Sequence, residues 1–206
     1  MINLSFSTIN NCLQPNNSHC WLNRQMGRKI PENDAMRKGR ELQDYIKEHQ
    51  SDFLELNEFY IGNSNFDKSM KIETIYDGFI NLDKGKFEVI GFIDGKKDEQ
   101  LLEIKTGTKM WSIMDFYNSM QIRLYASITN IDKFLCMTAL SDKEQWTINP
   151  PKFYEIKITD EMKISAIKWV NEAIKIYELG QFKGGLDEND KCNIWCPYGE
   201  NCFFKS

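Results

Sequence analysis

The chain has 206 residues, with 26 Lys+Arg against 30 Asp+Glu and a formal charge of −4. Hydrophobic residues make up 41% and aromatics 13%, enough for a buried core, which excludes disorder over most of the length. No apolar run approaches the ~20 residues of a membrane span. Met1-Ile-Asn-Leu-Ser-Phe lacks a basic region followed by an apolar stretch, so neither a membrane anchor nor a secretory signal is expected and the protein reads as cytoplasmic. A pI near 5.4 disfavours a protein that coats nucleic acid but not an enzyme with a local basic groove and an acidic metal site.

Ser5-Phe-Ser-Thr-Ile opens a first helix with Ser7 as its candidate cap, and Pro15-Asn-Asn-Ser18 breaks it. Ser18 can cap a second helix through Trp21, Leu22 and Met26 to Gly27. Asn33 or Asp34 caps a third, running to about Gln50 with Leu42, Tyr45 and Ile46 as its apolar stripe. Leu54 to Ile61, Met70 to Tyr76 and Phe79 to Leu82 read as strands. Phe87 to Asp94 is a strand ending in Asp94-Gly95, and a polar turn from Lys96 to Gln100 leads into Leu101–Lys105 as an antiparallel partner. Helical periodicity runs from Ser112 to Ile128, strands follow at 134–140 and 153–158, and a long amphipathic helix spans Asp160 to Gln181. There are no internal repeats or low-complexity stretches. The expected fold is α/β, one domain over 1–206 with a central mixed sheet flanked by helices. Its parts are a helical segment at 1–50, a core at 53–182 and a cysteine-bearing tail at 183–206 that packs on the N-terminal helices.

Glu103-Ile-Lys105 puts two ionisable side chains on one face of a strand. Alone this is weak, because Glu155-Ile-Lys157 and Glu161-Met-Lys163 repeat it, and a solvated strand face is the simpler reading. Context separates the first copy: the hairpin can bring Asp94 beside Glu103. Two carboxylates lined up at one place cost electrostatic energy unless a cation sits between them. Hard oxygen ligands, with the Ile104 carbonyl as a further donor, select Mg²⁺ or Mn²⁺. Gln121 and Tyr125 lie one helical turn apart on one face, a pattern an ordinary packed helix would also give.

At the other end, Cys192, Cys196 and Cys202 place three thiolates within eleven residues, bent by Pro197 and Gly199, a set that can wrap a soft metal centre. A fourth ligand must come from elsewhere, with Cys12 or Cys20 the candidates. Cys136 reads as a small buried hydrophobe. His19 and His49 read as surface residues, His19 also lying near enough to the cysteines to be a ligand.

Gly91-Phe-Ile-Asp94-Gly, Glu103-Ile-Lys105-Thr-Gly and Gln121-xxx-Tyr125, in that order and spacing, resemble the PD-(D/E)xK nucleases of the RecB type. Ser5-Phe-Ser-Thr-Ile and Gly39-Arg-Glu-Leu-Gln43 sit where that family has its N-terminal helix signature and first motif, so the resemblance spans almost the whole chain. It implies a restriction-endonuclease-like core and a metal-dependent DNA nuclease, an exonuclease on single-stranded or end-bearing DNA. Asp94, Glu103, Lys105, Gln121 and Tyr125 would then be catalytic, with Asp94, Glu103, the Ile104 carbonyl and the first-motif residue holding the metal. That residue is Gln43 where the iron–sulfur members have His, which weakens the ligand or marks a DNA-binding module that no longer cuts. The resemblance also implies that Cys12 (or Cys20) joins Cys192, Cys196 and Cys202 around a [4Fe–4S] cluster. Zn²⁺ on the same thiolates, or no metal, are the alternatives, and the gap from Cys192 to Cys196 is one residue longer than the family's. The implied partners are DNA and the proteins of CRISPR adaptation, recombination or a helicase. A protein binding iron–sulfur or zinc without nucleic acid is the third reading. Between carboxylates Lys105 is expected to keep its charge, so that it positions water and neutralises the phosphate. Arg24, Lys109 and Arg123 are further candidate phosphate contacts.

Overall fold

The computed structural model describes residues 2–13, 33–65 and 87–178. The expected second helix at Ser18–Gly27, the strands at 70–76 and 79–82, the end of the last helix and the whole cysteine tail lie outside the described residues, as do Cys20, Arg24 and His19. Two compact units make up the chain: 33–73 with 90–166, and 1–32 with 74–89 and 167–206.

In the second of these, β1 (Ile2–Ser5) and β3 (Phe87–Ile90) form a two-stranded sheet. The helix α1 (Phe6–Leu13) starts two residues earlier than its expected cap allows. Ser5, not Ser7, takes the capping role: its Oγ accepts the Thr8 N–H at 3.3 Å, two residues ahead of the predicted position. Phe6 stacks on Trp169 with ring centroids 5.5 Å apart.

The first unit is built on a five-stranded sheet of order β2-β4-β5-β6-β7. Its strands are β2 (Tyr60–Asn65), β4 (Phe92–Lys97), β5 (Gln100–Gly107), β6 (Lys133–Leu140) and β7 (Lys152–Lys157). β5 and β6 run parallel and the other neighbours antiparallel, so the sheet is mixed, as expected. β6 is an interior strand buried on both faces, which its near-continuous apolar run Phe134-Leu-Cys-Met-Thr-Ala requires. Helix α2 (Asp34–Glu48) is capped by Asn33, whose side chain accepts the Met36 N–H at 2.9 Å. Its Leu42 and Ile46 pack on one sheet face, against Leu102, Ile104, Leu135, Met137 and Ala139. Helices α3 (Ile113–Asn118) and α4 (Met120–Thr129) form the β5–β6 crossover that a parallel pair needs. α5 (Asp160–Glu178) follows β7.

Three expected elements differ. Leu54 to Ile61 is not one strand: 54–56 is a short 3₁₀ turn and β2 begins at Tyr60. The buried residues Leu56 and Phe59 are three apart, a helical spacing, and Gln50 Nε2 ties the segment by donating to the carbonyls of Leu56 (2.6 Å) and Phe59 (2.7 Å). The helix over 112–128 is two helices, because Ser119 is extended (ψ 114) and caps α4, while Ser112 and Asp115 form a capping box on α3. The strand leading to Asp94 breaks at Gly91, and β4 continues to Lys97, which leaves a two-residue turn at Asp98-Glu99. Asp98 has φ 44 there, a left-handed conformation that Asp tolerates. Among the described residues no helix is long and apolar enough to cross a membrane.

Candidate active site

The β4–β5 hairpin is antiparallel with Lys97 opposite Gln100 and Gly95 opposite Leu102. Pairing stops there. The next step in register would set Asp94 opposite Glu103, but β4 has left the ladder and the Asp94 carboxylate takes its place: Oδ2 accepts the Ile104 N–H at 2.7 Å. Gly95 fixes this point. A Cβ on it would lie 2.8 Å from the Tyr60 carbonyl oxygen and 3.0 Å from Leu102 Cδ2, so only glycine fits between β2 and β5.

Glu103 is 1% exposed. Lys105, two residues on, ion-pairs with it at 2.6 Å (Nζ to Oε1). No donor is aligned in hydrogen-bond geometry on that same Oε1 among the described residues. A buried carboxylate oxygen in that condition is costly, which marks a place where a further positive group would be stabilised. Burial pushes the Asp94 carboxyl up to about 7, helped by the Glu103 charge, while the Ile104 N–H and Lys105 oppose the rise. For Lys105, burial alone would lower the pKa, but the charges of Glu103 and Asp94 outweigh it and the ammonium is held above its ordinary value. This is the direction expected for a lysine between carboxylates.

The Lys105 ammonium also donates to Gln121 Oε1 at 2.8 Å, and Gln121 Nε2 donates to the Tyr125 hydroxyl at 3.1 Å. The one-turn spacing on α4 thus serves a chain of contacts running from Glu103 through Lys105 and Gln121 to Tyr125. Burial and the Glu103 charge raise the Tyr125 hydroxyl to about 12, so it stays protonated. From α2, Gln43 Nε2 donates to Asp94 Oδ1 at 3.2 Å. Gln43 therefore meets Asp94 through its amide nitrogen rather than presenting its oxygen to a cation. Asp94, Glu103, Lys105, Gln121, Tyr125, Gln43 and Ile104 are all brought to one place. Among the described residues, no group of three or more His, Cys, Asp or Glu side chains could hold a metal ion; around the two carboxylates lie the Gln43 amide and the Ile104 N–H, both donating to Asp94.

The cysteine set does not come together on the page. Cys192, Cys196, Cys202 and Cys20 lie outside the described residues, and of Cys12 only the helical backbone is described. The Arg123 guanidinium is engaged within the protein: it binds the Tyr117 carbonyl (2.9 Å), Asn118 and Ser165, joining α3 to α4 and α5. Lys109 is exposed. His49 closes α2, with Nδ1 3.0 Å from the Tyr45 carbonyl oxygen and its ring stacked on Tyr45.

Two neighbours of the site carry no sequence signal. Cys136 lies opposite Glu103 in the parallel register and is fully buried, so the expectation of a buried small residue holds; burial and the Glu103 charge push its thiol pKa up. Trp111, in the loop after β5, has its ring centroid 5.4 Å from Lys105 Nζ. An aromatic residue a few positions past a strand end is the only hint the sequence offers of it.

No protein-family model matches the chain, and no curated protein matches it. Solved structures do. The alkaline exonuclease (LHK-Exo) from Laribacter hongkongensis superposes with a TM-score of 0.58 at 12% identity, over 86% of this chain and 89% of that one. Its complex with dAMP gives 0.54 at 14% identity, over 86% and 88%. The protein SSO0001 gives 0.53 at 12% identity, over 96% and 84%. At these identities the likeness establishes the fold: the chain has the architecture of an exonuclease of known structure.

Proposed function

We propose that the protein is a metal-dependent DNA nuclease that hydrolyses phosphodiesters at single-stranded or otherwise accessible ends. One observation carries the reading: Asp94 and the buried Glu103 converge at a break in the sheet, with Lys105 paired to Glu103 and one Glu103 oxygen lacking an aligned hydrogen bond. The fold shared with an alkaline exonuclease, in one case bound to dAMP, supports it.

The donor set suits a hard divalent ion. Asp94 and Glu103 would hold Mg²⁺ or Mn²⁺, and the Ile104 carbonyl, on the same side of an extended strand as the N–H that meets Asp94, is the third oxygen. Bound there, such an ion supplies Lewis-acid polarisation of the phosphate and a more acidic water. The chain's own residues do the rest. Lys105, kept charged by its carboxylate neighbours, neutralises the charge that develops on the phosphate oxygens and orients the attacking water. Gln121 and Tyr125 are positioning residues, since they reach the site through Lys105. The cluster reading, Cys12 or Cys20 with Cys192, Cys196 and Cys202 around iron–sulfur or zinc, rests on spacing and resemblance; iron, acid-labile sulfide and zinc analysis of anaerobically purified protein decides it. The implied protein partners likewise rest on resemblance.

The test is hydrolysis of end-labelled single- and double-stranded DNA with Mn²⁺ or Mg²⁺, beside the same reaction in excess chelator. Metal-dependent shortening from an end is expected, and cleavage that persists with chelator would overturn the mechanism. A second reading has its own observation: Gln43 Nε2 occupies Asp94 Oδ1, the oxygen a cation would use. If that contact survives in the presence of metal, the protein binds DNA with a steep salt dependence and cuts nothing.

A further inference from the structure

Resting on the nuclease reading, we propose that Trp111 is the nucleoside platform of the site, contacting the base or sugar attached to the phosphate that Lys105 receives. Trp111 is partly exposed. It is also held in place. The Trp111 main-chain N–H donates to the fully buried Thr138 Oγ1 at 2.8 Å, and Phe116, itself fully buried, packs against the ring at a centroid distance of 5.3 Å. Ser112 immediately begins α3, so the loop cannot swing the ring far.

The protein contains a second lysine–aromatic pair for comparison. Lys143 Nζ sits 3.6 Å from the Tyr45 ring centroid, in van der Waals contact with the face. Lys105 stands off from Trp111 at 5.4 Å, drawn away by Glu103 at 2.6 Å and Gln121 at 2.8 Å. The ammonium lies over the indole but is held by Glu103 and Gln121 rather than seated on the π-face. A cation that can meet a phosphate, next to a held and partly exposed aromatic ring, is the chemistry of a nucleotide: anion and π-system one nucleoside apart. Ile113 (39% exposed) and Met114 (59%) extend the apolar surface beyond the indole. The platform favours an unpaired strand, since a paired base keeps its faces within the stack.

The experiment uses the full chain, Mn²⁺ and a series of end-labelled single-stranded oligonucleotides, each carrying one abasic residue at a different place near the end. Wild-type protein should lose about tenfold in kcat/KM at one abasic position and little at the others. Trp111→Leu should lose a similar factor on intact DNA and nothing further at that position, and Trp111→Phe should recover most of the loss. Equal sensitivity to abasic residues at all positions in the wild type overturns the proposal without any variant. So does Trp111→Leu that keeps the full position-specific penalty, which would show its own loss to be structural. If the wild type cleaves none of the oligonucleotides with any metal, the nuclease reading itself has failed.

Discussion

Two lysine–carboxylate pairs flank the β5–β6 crossover. Lys105 meets Glu103, and Lys163 meets Asp132. In each, one carboxylate oxygen is buried with no aligned hydrogen-bond donor among the described residues. By pair chemistry alone the two are alike. Their surroundings differ. Lys163 has Asp160 as a second acid at 3.5 Å, but Asp160 is exposed and Asp132 is one-third exposed, so solvent screens the charges of that cluster. Glu103 is 1% exposed, its second acid Asp94 is only partly exposed, and Lys105 is already shared with Gln121. A buried ion pair by itself is only a local structural choice. It becomes a candidate site when another carboxylate is forced into the same dry space and one lysine cannot balance both.

The comparison can be broken at either end. Glu103→Gln or Lys105→Ala is expected to lower DNA hydrolysis on the order of 10³-fold, measured at saturating Mn²⁺. Lys163→Met should leave it at the wild-type level, and equal losses in both pairs would make the distinction void. The next largest effect is pH dependence. With its carboxyl held at about 7, Asp94 stays protonated in the fold while it ionises at about 3.9 when unfolded. Its contribution to metal-free stability therefore falls as pH rises between those values and is level above pH 7. A metal needs the ionised form, so apparent Mn²⁺ affinity by calorimetry should drop about tenfold per pH unit below 7. Asp94→Asn should abolish both trends, and a flat affinity from pH 5 to 8 would remove Asp94 from the site. Gln43→His exchanges the amide that now holds Asp94 for an imidazole, and Mn²⁺ should bind about three- to tenfold more tightly. Smallest is the cost of Lys163→Met: about 1 kcal/mol for a partly exposed pair, or roughly 2–4 °C in Tm by thermal denaturation.

Much of the site was legible because β-hairpin geometry is short-range. The i, i+2 rule and the polar turn were enough to put Asp94 near Glu103, and the i, i+4 rule put Gln121 beside Tyr125. Three copies of Glu-x-Lys show what the tripeptide alone cannot do. Glu103 and Ile104 are buried in β5 with Lys105 mostly so, Glu155 and Lys157 are exposed on β7 on either side of buried Ile156, and Glu161-Met-Lys163 is helical, with Lys163 turned to Asp132. Burial separates them, and burial is set by β6 and the helices, far away in sequence. Trp111 was invisible for the same reason: its anchor Thr138 lies 27 residues on. The missed elements were local conflicts. Ser119 looks like any polar residue in a helical run until its extended backbone cuts the run in two. Leu54 looks like a strand residue but is 80% exposed.

The close approach at Gly95 has a consequence for how this molecule can vary. That residue offers no acid, base or ligand, yet a single added methyl group would push the Tyr60 strand away and drag the neighbouring carboxylate out of the gap it fills. The sheet could re-close around such a change and still fold, leaving a protein of ordinary appearance whose acidic pair no longer faces a common point. Inactivity in this chain can thus arise from a position with no functional group at all.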